Sequence, residues 1–441
     1  MRLNEARVIY LTAGAAGMYC GSCLHDNTVT GGLLKRGVDI QLLPLYTPIR
    51  TDEENVSTDR IFFGGINVYL QQKIPLFRYL PGFLDRWLDH PALISRLSTR
   101  TIKINGKELG ALALSMIRGE SGYQLKEVGR LMKWLSEDAK PDLVVLSNLL
   151  IGGIVPVIKR ELNIPVLVNL QGDDVFLNEL IEPYKEQVIS EMKGLAGEVD
   201  GFVVFNDPYA RKMGDLLAIP PEKFHLTNLG IDANALQDVA DACNEHRRKL
   251  DPASFLTIGF FARLCPEKGL DLLVDAFIEL KQKPGMEKVR LKMGGWLTPR
   301  DKEYLNEQRD KLEKAGLMEA VEMVISPDRE GKRAFFPGID VFSVPAVAVE
   351  PKGLYVLEAM TCGIPVVEPE GGGFAEVIRE SGAGRLIPPE DRSALATALA
   401  DLIDSKEERQ ALGEKGRQYV IDHRGLEAMT DSTAEVFQRF L

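Results

Sequence analysis

Glu350-Pro351-Lys352-Gly353-Leu354-Tyr355-Val356-Leu357-Glu358-Ala359-Met360, followed by Cys362-Gly363-Ile364-Pro365-Val366-Val367, is the stretch on which the fold turns. Pro351 and Gly353 mark a turn after the apolar run Val341–Val344, because both residues punctuate regular structure. A helix opening near Gly353 presents unpaired first amides and the positive end of its dipole, a combination that holds phosphate oxygens. Glu350 stands before that helix and Glu358 about a turn inside it. Were the whole interval helical, the rise per residue would separate the two carboxylates by ~12 Å along the axis. That is the reach from a hexose, across a diphosphate, to a ribose. Carboxylates suit sugar hydroxyls because each accepts two hydrogen bonds. On spacing alone, an ordinary amphipathic helix with one N-terminal and one solvated glutamate fits equally well.

Outward from this stretch, short β-branched runs alternate with turns and amphipathic helices. Strands are expected at Val8–Leu11, Val38–Leu43, Leu143–Leu146, Val166–Leu170, Gly201–Phe205 and Phe224–Thr227. A second series follows at Leu256–Phe261, Val289–Met293, Val321–Ile325, Val341–Val344, Pro365–Val367 and Arg385–Ile387. Such alternation predicts parallel sheets covered by helices on both faces. At 441 residues the chain is too long for one ordinary core. The composition turns polar from Asp238 to Pro252, which divides it. The expected organisation is α/β: an N-terminal Rossmann-like domain over residues 1–236 with an insertion at about 50–125, then a second Rossmann-like domain over 237–423. A helix over 424–441 carries Leu426, Met429, Thr433, Val436, Phe437 and Phe440 at helical spacing. That stripe must be buried, and packing back on the first domain is the economical solution. Two doubly wound domains facing across a cleft place a ligand at the carboxyl ends of the strands.

A net charge of −11 argues against general affinity for nucleic acid. No stretch reads as a secretory signal or a spanning segment, since the apolar run Leu143–Ile158 is interrupted by Ser147, Asn148, Gly152, Gly153 and Pro156. Five cysteines in a chain this long form no disulfide framework. Cys20 and Cys23 have redox or zinc spacing, but no second ligand pair accompanies them. The cytoplasm is the expected compartment. The aromatic segment Phe77–Ile94, with Lys73, Arg78 and Arg86, reads as packing or as a cover over an acceptor pocket; peripheral contact with a membrane is the less favoured reading.

The run from Glu350 to Val367 resembles the Glu-x7-Glu signature of family 4 glycosyltransferases, retaining enzymes of the GT-B fold. The resemblance implies that Glu350 contacts the donor hexose, that Lys352, Gly353 and Leu354 meet the sugar and diphosphate through turn amides, and that Glu358 binds the ribose. Arg263-Leu264-Cys265-Pro266-Glu267-Lys268 resembles the Arg-x4-Lys diphosphate site of the same family. Read from the residues alone, Arg263 and Lys268 lie at the carboxyl end of a strand, where fixed cations stabilise a departing diphosphate, but two solvated loop cations fit the residues better until the resemblance is counted. Asn228-Leu229-Gly230-Ile231-Asp232 resembles the segment that closes the family's first domain. Gly371-Gly372-Gly373 and Glu376 resemble its glycine-rich turn and following acidic residue.

On the acceptor side, Gly14 and Gly17 sit where the family has a glycine loop, without its usual Gly-Gly-x-Glu wording. Glycines there let backbone amides approach a phosphate or an acceptor closely. Two family histidines are replaced, the first by the Ser147–Asn148 region and the second by Gln171. An amide can hydrogen-bond a sugar but cannot shuttle a proton. Asp173 and Asp174 can orient an acceptor hydroxyl or cap the next helix; His25 is a further acceptor-side candidate. Retaining transfer in this fold is generally attributed to the leaving phosphate acting as base. The resemblance therefore implies a nucleotide-sugar donor, a glycan, lipid or small-molecule acceptor, no other cofactor and no metal. Alternatives are a non-catalytic nucleotide-sugar binder, an epimerase or a phosphorylase. A nicotinamide dehydrogenase is disfavoured, because no Gly-x-Gly-x-x-Gly follows a strand.

Overall fold

The computed structural model describes the chain except residues 15–20, 50, 52, 65–67, 69, 73, 75–105, 252–253 and 328. It divides into two compact units, one of Met1–Asn228 with Met429–Leu441 and one of Leu229–Ala428. The polar stretch after Asp238 lies inside the second unit as the helix Gln237–Lys249, so the division falls before the 236/237 boundary expected from composition.

Among the described residues the first unit holds six parallel strands: β1 (Arg7–Thr12), β2 (Asp39–Pro44), β3 (Leu143–Leu146), β4 (Val166–Asn169), β5 (Gly201–Val204) and β6 (Phe224–Leu226). Their order is β2-β1-β3-β4-β5-β6. Every residue of β3 and β4 is buried, so the strands run apolar without alternation because both faces are covered, save Asn169 at the end of β4, whose side-chain amide donates to the Tyr10 hydroxyl. The expected insertion contributes the helix Gly106–Ile117, and the helix Leu125–Trp134 follows it. The insertion's aromatic segment Phe77–Ile94 lies outside the described residues.

The chain's last helix, Leu426–Gln438, buries Met429, Thr430, Thr433, Val436 and Phe437. It packs back on the first unit: the Asn228 amide donates to Ser432 Oγ at 2.9 Å and the Leu3 amide to Gln438 Oε1 at 2.8 Å. Phe440 meets the His225 ring edge-on at 5.1 Å.

The second unit repeats the plan with β7 (Leu256–Phe261), β8 (Val289–Gly295), β9 (Val321–Ile325), β10 (Val341–Phe342), β11 (Val366–Pro369) and β12 (Gly384–Ile387). All neighbours are parallel, in the order β12-β11-β10-β7-β8-β9. The strand order reverses between β1 and β3 in the first sheet and between β7 and β10 in the second. At such a switch the loops leave in opposite directions and open a crevice beyond the strands' carboxyl ends.

Candidate functional site

In the second unit, the loops after β7 and β10 leave from the two sides of the switch. The loop after β7 carries Arg263 and Lys268. The Leu264 amide pins it to Trp296 O at 2.9 Å. A 3-10 turn over Pro266–Lys268 then ends at Gly269, whose φ of 67° starts the helix Leu270–Leu280. A Cβ on Gly269 would stand 1.9 Å from the Pro345 carbonyl oxygen. Glycine is therefore what allows the two loops to touch. Lys268 reaches across and pairs with the Glu350 carboxylate, their side chains only 14% and 12% exposed. The ammonium lies 5.3 Å from the centre of the Tyr355 ring, and the Tyr355 hydroxyl donates to Glu350 at 3.4 Å. Arg263 is half-buried within electrostatic reach of Cys265 and Glu267. It makes no ion pair with Glu350.

The loop after β11 closes a third side. Gly372 has φ of 68°, and a Cβ there would come within 2.9 Å of the Glu350 nitrogen. The Gly373 amide donates to Glu350 O at 3.3 Å. The glycine run 371–373 thus holds Glu350 by its backbone. Below it, the fully buried Glu368 on β11 accepts from the Val344 amide at 3.0 Å. Burial pushes the Glu368 carboxyl well above the usual carboxylate range, and the nearby Glu350 charge adds to the shift. Lys268 pairs directly with Glu350, not with Glu368.

The helix that follows spans Leu354–Thr361 and opens at Gly353, left-handed with φ of 79°. Residues 350–353 are therefore not helical, and a separation reckoned along one axis does not describe the two glutamates. Glu358 is almost wholly buried inside this helix, and its Oε1 accepts from Lys332 Nζ at 2.8 Å. Lys332 sits on the short helix Arg329–Arg333 after β9. Lys352 is buried, while Leu354 is half-buried at the helix mouth.

The switch of the first unit gathers a different set. Asp26 on the helix Gly21–Lys35 is fully buried; it accepts from Tyr10 at 2.7 Å, Thr12 at 3.0 Å and the Gln171 amide at 2.8 Å. Gln171 also donates to Ser147 O at 3.1 Å. His25 Nδ1 lies 3.5 Å from Asp26, its ring edge-on to Phe205 at 4.6 Å. Gly14 has φ of 91°, and a Cβ there would collide with Thr47 O at 1.9 Å. Asp173 accepts the Leu149 and Gln171 amides at 2.8 and 3.3 Å, and burial raises its pKa to about 6. Asp174 takes the Tyr209 hydroxyl at 2.7 Å and Lys212 at 2.6 Å. Both carboxylates are engaged in holding the first unit together.

With this geometry in place, residues 244–419 match the family model described as glycosyl transferases group 1. The chain is 27% identical over 200 residues to a GDP-mannose-dependent alpha-(1-6)-phosphatidylinositol monomannoside mannosyltransferase of Mycolicibacterium smegmatis, covering 44% of this chain and 50% of that one. It is 33% identical over 142 residues to a phosphatidyl-myo-inositol mannosyltransferase of Mycobacterium leprae, covering 31% and 34%. The matches span about half the length of such relatives. Among solved structures, sucrose-phosphate synthase from Thermosynechococcus elongatus superposes with a TM-score of 0.68 at 18% identity, over 98% of each chain. HepE from Anabaena, solved with UDP, gives 0.67 at 16% identity, over 98% of this chain and 100% of that one. The fold is GT-B.

Within residues 244–419, Lys268, Glu350 and the glycine run 371–373 come together, with Gly353 at the adjoining helix mouth. Arg263 acts electrostatically on Cys265 and Glu267, and Glu358 pairs with Lys332. In the first unit Gln171 and His25 converge, but on Asp26; Gly17 and Cys20 lie outside the described residues. Sequence reading missed Asp26, Lys332, Tyr355 and Glu368. A glutamate directly after Val366-Val367 in a buried strand was the available signal for Glu368, since charge is rare there without a purpose. Nothing in the spacing points to Lys332, which reaches Glu358 from a separate loop. Among the described residues, no group of three or more His, Cys, Asp and Glu is arranged for a metal ion, and no helix is long and apolar enough to cross a membrane.

Proposed function

We propose that the protein is a retaining glycosyltransferase that moves a hexose from a nucleotide-diphosphate sugar to a hydroxyl acceptor in the cytoplasm. The observation that carries this reading is the Lys268–Glu350 pair at a sheet switch point, beside a glycine-opened helix, inside the stretch that matches glycosyl transferases group 1. A cation and a carboxylate held together are complementary to the two halves of the donor. The diphosphate takes Lys268, a hexose hydroxyl donates to Glu350, and each replaces the other's partner without leaving a buried charge bare. Arg263 supplies a second cation at the same strand end. The amides around Gly353 meet the diphosphate, and Glu358 receives the ribose hydroxyls.

In the transfer step the bond from sugar C1 to the diphosphate oxygen breaks with its electron pair on the oxygen. The acceptor hydroxyl forms the new C1–O bond on the same face, and its proton passes to the departing phosphate. Lys268 and Arg263 stabilise the charge developing on that group, which lowers the barrier because they are fixed before reaction begins. No other cofactor or metal is assigned a role. Relatives named for phosphatidylinositol substrates make a lipid-linked acceptor one class to test, beside glycans and small molecules.

The test is thermal stabilisation by UDP-glucose and GDP-mannose, followed by release of nucleoside diphosphate with candidate acceptors. Stabilisation by one donor and its turnover are expected, both lost in Glu350→Gln. Donor binding without any turnover would make the protein a binder, and C4 or C2 inversion of the bound sugar would make it an epimerase.

A further inference from the structure

A second charged feature lies away from the loops around Glu350. Between the helices Gln237–Lys249 and Lys406–His423 is a cavity of about 510 Å³, lined in part by Arg247, Arg248, Lys406, Arg417, Glu414 and Gly363. Four cations thus face one carboxylate in a chain whose net charge is −11. None of the four is neutralised locally: among the described residues, none makes an ion pair with a carboxylate. Arg417 donates instead to the Gln237 side chain at 3.2 Å, while Arg248 and Lys406 are exposed.

Arg247 is the informative member. Its Nη2 donates to Asn244 Oδ1 at 2.6 Å and to Cys362 O at 2.9 Å. Its Nη1 is buried without a hydrogen-bond partner. Asp340 is the carboxylate whose charge acts on it, but that side chain accepts the Thr257 amide at 2.8 Å and faces His246 at 3.8 Å. A buried guanidinium nitrogen without a hydrogen-bond partner leaves part of the Arg247 charge uncompensated, and a nearby anion would offset it electrostatically. The opening exists because residue 363 is glycine: a Cβ there would stand 2.9 Å from Arg247 Nη2.

We infer that this cavity is a binding site for a small phosphorylated molecule carrying at least two negative charges, separate from the donor site. The volume lies within the range of small-ligand pockets. Arginine forks match phosphate oxygens in pairs, and a multiply charged ligand is needed to balance the excess. A single halide or carboxylate would leave most of it uncompensated.

The probe is inorganic pyrophosphate, titrated calorimetrically into the full chain. Arg248→Glu/Lys406→Glu reverses two exposed charges and should weaken binding by at least about tenfold, from Coulomb energies at ~8 Å reduced by screening. Glu414→Gln removes the opposing carboxylate and should tighten binding by about threefold on the same reasoning, a gain that misfolding cannot produce. Pyrophosphate held at the donor site responds to neither change, so unchanged affinity in both variants overturns the assignment. Vesicles of phosphatidylglycerol in phosphatidylcholine separate a soluble ligand from a lipid headgroup. If the vesicles bind through these residues while pyrophosphate does not, the cavity is a membrane contact and the inference fails.

Discussion

Removing Lys268 should destabilise the second unit before any substrate is present. From sequence, Lys268→Ala reads as a change that abolishes transfer and leaves folding largely intact. Its pairing with Glu350 at 14% and 12% side-chain exposure says otherwise. At contact distance of ~3 Å and an effective dielectric of ~20, the attraction is about 5 kcal/mol, part of which offsets desolvation of the two charges. Breaking one partner of a buried pair typically costs about 3–5 kcal/mol, because the other charge is left bare. Slight exposure and the Tyr355 hydroxyl, 3.4 Å from Glu350, put the expectation at about 3 kcal/mol. For a unit running from Leu229 to Ala428, that is a fall of ~6–12 °C in Tm. The assay is chemical and thermal unfolding of the ligand-free protein. Because the cost arises from the stranded Glu350 charge, Lys268→Ala/Glu350→Gln should recover most of it, as a double-mutant cycle would register. A loss below about 1 kcal/mol, or a double variant no more stable than Lys268→Ala, would refute this reasoning. In activity, both variants should lose about 10²–10³ in kcat, the usual cost of one fixed charge-stabilising group.

Gly372→Ala places a methyl 2.9 Å from the Glu350 nitrogen at a φ of 68°, whereas Gly371 has nothing within 4 Å; kcat should fall at least tenfold, by about 1.4 kcal/mol, in the first variant and hardly change in Gly371→Ala, and equal effects would remove the glycine run from the site. Glu358→Gln should raise the donor KM by about tenfold with a smaller change in kcat, because a ribose contact present in both ground and transition states is lost; an unchanged KM would free Glu358 from that role. Asp173 has a pKa raised to about 6 by burial, so the folded state holds its proton more tightly than the unfolded state. Its contribution to stability is complete below about pH 4 and is lost as pH rises through about 6, on the order of 3 kcal/mol. Urea unfolding of Asp173→Asn between pH 4 and 7 should show a flatter pH dependence than the parent, and an identical slope would count against the burial argument.

How much could be read in advance depended on the range of the interactions involved. Among the described residues each strand falls on a run expected from the sequence, most plainly Leu143–Leu146, where burial on both faces demands an unbroken apolar stretch. Turn positions were legible for a similar reason: Gly269 and Gly353 adopt left-handed backbone, which only glycine enters freely. The candidate residues Lys268 and Glu350 were visible by motif, but their contact was not. It depends on Gly269 meeting Pro345 across two loops that belong to strands 80 residues apart in the chain and adjacent in the sheet. Tertiary structure alone decided that Glu358 faces Lys332, that Gln171 and His25 gather on Asp26, and that Asp173 and Asp174 serve the first unit internally. Periodicity and backbone preference are local properties written residue by residue, whereas charge pairing is set by which loop ends the strand order brings together. The sequence by itself determined where the strands and turns are; only the folded sheets determined which side chains meet.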